Sequence, residues 1–110
     1  MADNVIGAAV ISTATVIFTD LVGSTDLRLR LGEDAADAIR ATHDRILTDA
    51  VESNHGRVIK HLGDGVMAAF ASCIDGLSAA VAVQQSIDLA NRRVRGERLS
   101  VRIGLAVGDV

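Results

Sequence analysis

The chain has 110 residues, 49% of them apolar, and a formal net charge of −3 at pH 7, which allows one domain around one core. With two phenylalanines and no tryptophan or tyrosine it lacks stacking platforms for single-stranded nucleic acid, and its acidic balance argues against a polyphosphate-backbone binder. The single cysteine excludes a disulfide framework and a zinc site of the usual Cys/His spacing.

Residues 1–14 read as a leader or an extension of the first strand. Val5–Phe18 is uncharged but shorter than the roughly 17–25 residues of a membrane helix, and no basic segment precedes it as in a secretory signal. Thr15–Thr19 is a β-branched and aromatic run that predicts a buried strand. Leu21–Thr25 turns, and Ser24 or Thr25 is expected to N-cap a short helix reaching Leu31-Gly32. Glu33–Asn54 predicts a longer helix with an apolar stripe of Ala36, Ile39, His43, Ile46, Leu47 and Ala50, closed by Asn54-His55-Gly56.

Arg57–Leu62 and Val66–Ala71 predict two strands joined by Gly63-Asp64-Gly65, with Asp-Gly at the turn. Cys73 follows; it suits a reducing cytoplasm and is expected to be a small buried or half-buried filler. Asp75–Val94 predicts a second long helix whose face of Gly76, Ala79, Ala80, Val83, Ile87 and Ala90 suits close packing on a sheet. Its last turn and the residues just beyond carry Arg92, Arg93 and Arg95, positive charge at the negative end of the helix dipole. Leu99–Val107 predicts a last strand. The order β-α-α-β-β-α-β is that of an α+β fold, a ferredoxin-like plait (split β-α-β) with helices on one face of an antiparallel sheet.

Two aspartates stand at strand ends in glycine-bearing turns: Asp20, before Leu21-Val22-Gly23-Ser24-Thr25, and Asp64, between two glycines. Each has an ordinary explanation, Asp20 as a turn or helix cap and Asp64 as a turn former. In a split β-α-β sheet, however, the first strand and the hairpin are central neighbours. The two carboxylates then meet at one edge, where hard oxygen ligands suit a pair of Mg²⁺ ions bound to a polyphosphate. Amides at the start of the following helix would face phosphate oxygens. Lys60 reads equally as an edge residue with its ammonium in water or as a donor to a bound base. His43, His55 and His61 form no ligand set, and His43 is expected to be half-buried and satisfied. No nucleophile elbow, P-loop or dinucleotide fingerprint is present.

Phe18-Thr-Asp-Leu-Val-Gly-Ser-Thr25, Gly56-Arg-Val-Ile-Lys-His-Leu-Gly-Asp-Gly65, Ala68-Ala-Phe70 and Val101-Arg-Ile-Gly-Leu105 together resemble the class III nucleotidyl cyclase catalytic domain in its bacterial form, over about residues 15–110. The resemblance implies that Asp20 and Asp64 bind two Mg²⁺ or Mn²⁺ ions per site with the carbonyl of Leu21. It implies that Val22, Gly23, Ser24 and Thr25 hold the triphosphate, and that Lys60 selects adenine, where guanylate cyclases typically carry glutamate. The implied reaction is adenylate cyclase chemistry, a phosphorus–oxygen lyase step from ATP to 3′,5′-cyclic AMP and pyrophosphate by in-line attack of the ribose 3′-hydroxyl. The implied assembly is an antiparallel homodimer with sites at its interface; the cytoplasm is expected from the lone cysteine.

In that family a second purine-reading residue and an Asn/Arg pair follow the strand equivalent to Leu99–Val107. They would lie beyond Val110, so residues 15–110 are expected to be a partial catalytic domain. The alternative is a catalytically impaired regulatory or dimerisation module. A diguanylate cyclase is disfavoured, because Leu62-Gly-Asp-Gly-Val66 lacks that family's second glycine before the aspartate and acidic residue after it.

Overall fold

A computed structural model describes residues 5–6, 9–10, 13–93 and 98–109. Two short strands, β1 (Val5–Ile6) and β2 (Ala9–Val10), pair antiparallel in a ladder separate from the main sheet. The main elements are β3 (Thr13–Leu21), α1 (Ser24–Leu31), α2 (Glu33–Ser53), β4 (Arg57–Leu62), β5 (Gly65–Phe70), α3 (Cys73–Arg93) and β6 (Val101–Asp109). Strand order is β4-β5-β3-β6, antiparallel throughout. From β3 onward this is the expected β-α-α-β-β-α-β plait.

Alternation along β3 sets the two faces of the sheet. Thr15, Ile17, Thr19 and Leu21 are buried toward the helices, whereas Val16, Phe18 and Asp20 lie on the open face. Of the helix stripes read from the sequence, Ala36, His43, Leu47 and Ala50 on α2 and Gly76, Ala79, Val83 and Ile87 on α3 are buried, while Ile39, Ile46, Ala80 and Ala90 are not fully buried; Val51, outside the expected stripe, joins the buried set. Branched and small side chains fill the core, joined by Phe70; Phe18, the other aromatic residue, is 44% exposed.

Four sequence expectations need correction. Gly23, in the left-handed region at φ 71°, is the N-cap of α1, and neither Ser24 nor Thr25 caps it. The hairpin tip is Gly63-Asp64 rather than Asp64-Gly65, since Leu62 pairs with Gly65. Gly63 takes the positive φ of 60° at the first central position, as a type II′ turn demands. Cys73 is exposed, because α3 begins there, before the helix is covered at Gly76. His43 is fully buried rather than half-buried; its Nδ1 meets Asp44 Oδ1 at 2.9 Å, while its Nε2 has no partner among the described residues.

The strand and helix ends also shift. β3 is longer at both ends than Thr15–Thr19, and β6 starts and ends two residues later than expected. At the end of α2 the left-handed residue is His55 (φ 66°), with His55 N–H bonded to Glu52 and Gly56 N–H to Val51, a Schellman arrangement. Arg95 lies outside the described residues, as does Val94, the expected last residue of α3. No helix among the described residues is long and apolar enough to cross a membrane.

Candidate active site

The antiparallel order brings the end of β3, the start of β5, the start of β6 and the start of α1 to one end of the sheet. There the Leu21 N–H donates to the Asp64 carbonyl at 3.0 Å, so the backbones carrying the two candidate carboxylates touch. Gly65 is what permits this approach. A Cβ on it would lie 1.7 Å from the Thr19 carbonyl oxygen and 3.2 Å from the Asp20 Cα. Buried Thr19 adds a second tie, its Oγ1 accepting the Val66 N–H at 2.9 Å.

Ser24 is brought to this point for a purpose other than capping. Its hydroxyl donates to Asp64 Oδ2, which fixes the carboxylate against the first turn of α1. Ser24, Thr25, Arg28, Leu29, Glu33 and Asp64 line a cavity of about 200 Å³. Val22, by contrast, spends its amide on Ser100 O at 2.8 Å, so that amide is not free for phosphate. The amides at the start of α1 carry no side-chain cap.

Asp20 lies on the open face opposite Arg102 of β6, and Arg102 Nη2 meets Asp20 Oδ2 at 2.5 Å. Arg28 is gripped by Asp37 at 3.0 Å and Glu33 at 2.6 Å, and those hydrogen bonds, Asp37 foremost, hold its guanidinium still further on the charged side than usual. Arg40 of α2 donates to the Gly63 carbonyl, at the hairpin tip. Neither Arg40 nor Arg28 belongs to a motif, and only the packing of α1, α2 and the hairpin reveals them. Arg102 stands within a recognised motif, but its partner follows from the β3/β6 register.

Lys60 is not gathered into this cluster. It is exposed on edge strand β4, beside an irregularity in the ladder between Val58 and Lys60, and pairs in register with Met67, which pairs with Phe18. Two strand spacings and two residues separate it from Asp20, on the order of 12 Å between Cα atoms. Among the described residues its side chain has no hydrogen-bond or ion-pair partner.

The candidate donors are the two carboxylates and, as the resemblance implies, the Leu21 carbonyl; among the described residues no group of three or more His, Cys, Asp or Glu is placed to hold a metal ion. All three donors are hard oxygens. That fits Mg²⁺ or Mn²⁺, ions of the kind held by one or two carboxylates and completed by water and substrate phosphate.

The sequence profile of the adenylate and guanylate cyclase catalytic domain matches residues 7–110. The chain belongs to this family. The cyclase domain is 33% identical over 98 residues to a candidate adenylate cyclase 3 of Rhizobium meliloti (strain 1021), a match covering 88% of this chain and 17% of that protein. It superposes on the adenylyl cyclase CyaB from P. aeruginosa with a TM-score of 0.80 at 20% identity, covering 90% of this chain and 57% of that one. A guanylyl cyclase domain from the aquatic fungus Blastocladiella emersonii gives 0.77 at 18% identity, covering 89% and 58%. The cyclase domain thus spans less than a fifth of its curated relative and somewhat over half of these solved chains. Adenylyl and guanylyl cyclases share its fold alike, so the fold does not choose the nucleotide.

Proposed function

We propose that this cyclase domain converts ATP to 3′,5′-cyclic AMP and pyrophosphate, at a site for two Mg²⁺ or Mn²⁺ ions shared between two antiparallel copies. The observation that carries the reading is the contact of the Asp20–Leu21 backbone with Asp64 at one end of the sheet. When bound, the divalent cations would acidify the ribose 3′-hydroxyl and offset triphosphate charge. Asp20, Asp64 and the Leu21 carbonyl are the residues that would hold them. Gly23, Ser24 and Thr25 form the turn and first helical residues, whose uncapped amides suit phosphate oxygens.

Lys60, outside the carboxylate cluster of its own copy, is assigned by the family resemblance to the purine of the site built on the other copy. Its ammonium donates to a ring-nitrogen acceptor that adenine offers and guanine, protonated there, does not. The second copy is supported by the open sheet face, where Phe18 is 44% exposed beside partly exposed Val16 and Met67.

A second reading, a catalytically impaired regulatory or dimerisation module, is favoured by one observation. Both carboxylates are already engaged within the chain, Asp20 by Arg102 and Asp64 by Ser24. Assaying cyclic AMP and cyclic GMP from Mn²⁺-ATP and Mn²⁺-GTP decides between them, using the protein that contains this domain. Cyclic AMP formation that falls by at least about 10²-fold in Asp20→Ala and in Asp64→Ala supports the enzyme. Tight Mn²⁺-nucleotide binding without product supports the module.

A further inference from the structure

We propose that Arg40 is a positioning residue for Asp64, holding the hairpin tip so that the carboxylate is aimed before any cation arrives. The inference rests on the metal-binding reading of Asp64. The tip has little else to hold it: Gly63 and Leu62 are exposed, and the space around the Gly63 Cα is open. Gly65 is locked against Thr19, but Gly63, at φ 60° in open space, puts little steric restraint on the peptide that leads into Asp64.

Three ties oppose that freedom. The Asp64 carbonyl accepts from Leu21 N–H, the Asp64 carboxylate accepts from Ser24, and the Gly63 carbonyl accepts from the Arg40 guanidinium. The third acts on the peptide group joining Gly63 to Asp64, so it sets the plane from which the aspartate side chain departs. It is also the one tie that reaches the tip from α2.

Arginine suits the task because its fork serves two partners. While one terminal nitrogen reaches Gly63, Nε lies 3.9 Å from Asp44 Oδ2, and Asp44 Oδ1 is in turn 2.9 Å from Nδ1 of fully buried His43. The 3.9 Å separation is too long for a hydrogen bond and leaves a charge contact between the guanidinium and Asp44, one helical turn on. A lysine would reach the carbonyl but could not also hold Asp44 in the same geometry.

The test compares the wild-type protein that contains this domain with its Arg40→Met, Arg40→Lys and Asp64→Asn variants by two readouts. One is Mn²⁺ affinity in the presence of ATP, followed by electron paramagnetic resonance; the other is amide hydrogen exchange. Removal of a group supporting a metal ligand typically costs 10–100-fold in affinity, and Arg40→Met is expected near the lower end, about 10-fold. Exchange should rise at residues 62–65 alone, and Arg40→Lys should recover part of both effects.

If Asp64→Asn lowers Mn²⁺ affinity but Arg40→Met does not, the positioning role is overturned and the metal reading stands. Exchange that rises uniformly over the sheet in Arg40→Met, or an Arg40→Lys chain no better than Arg40→Met, also overturns it. A wild type that takes up no Mn²⁺, or an Asp64→Asn chain that binds as tightly as wild type, overturns the metal reading and this proposal together.

Discussion

Asp20 and Arg102 face each other across the β3/β6 ladder, their side chains 2.5 Å apart on the open face of the sheet. Both are well exposed, Arg102 at 74% and Asp20 at 50% of the side chain, so water screens the pair and its contribution to folding is small. Its consequence for the site is larger. The guanidinium occupies the carboxylate that a divalent cation would need.

Arg102→Met should therefore leave the urea midpoint nearly unchanged, corresponding to less than about 0.5 kcal/mol. The same change should tighten Mn²⁺ binding to the nucleotide-free chain. A unit charge at contact distance in water is worth about 1 kcal/mol, or roughly fivefold in affinity. Weaker Mn²⁺ binding in Arg102→Met would mean that the arginine does not compete at Asp20.

Among the described glycines, Gly65 has the least room for a Cβ. Gly65→Ala drives a methyl group into the Thr19 carbonyl and should cost at least about 3 kcal/mol or prevent folding. Gly104, with nothing within 4 Å of a Cβ, is the control, and Gly104→Ala should fold normally. Urea denaturation of the two variants checks the contrast.

Thr19→Val keeps the shape of a buried side chain and removes the acceptor for Val66 N–H. The orphaned amide predicts a loss of about 1–3 kcal/mol by urea denaturation. Because the lost tie lies beside Gly65, hydrogen exchange at Val66 should accelerate more than at Ala68.

Much of the fold was legible in the sequence because burial imposes a period. The α2 and α3 stripes follow helical spacing, and the β-branched run around Ile17 marked β3. What escaped was settled by contacts distant in sequence. Asp-Gly is a good turn pair, yet Gly65 is needed in the strand against Thr19, so the tip moves back to Gly63-Asp64. Ser24 is a good cap by type, but its hydroxyl is drawn to Asp64, 40 residues away. The depth of His43 and the partners of Arg28, Arg40 and Arg102 likewise depend on how α1, α2 and β6 come together. The strand-end positions of Asp20 and Asp64 were legible because the motifs carrying them are local.

The most direct measurement is a double-mutant cycle on Mn²⁺-ATP affinity with Asp20→Asn, Asp64→Asn and the combined variant. If both carboxylates serve one cation cluster, each single change weakens binding by more than about 10-fold and the double variant is little worse than the weaker single one. Wild-type affinity in either single variant, or losses that add as for two independent sites, would contradict the account.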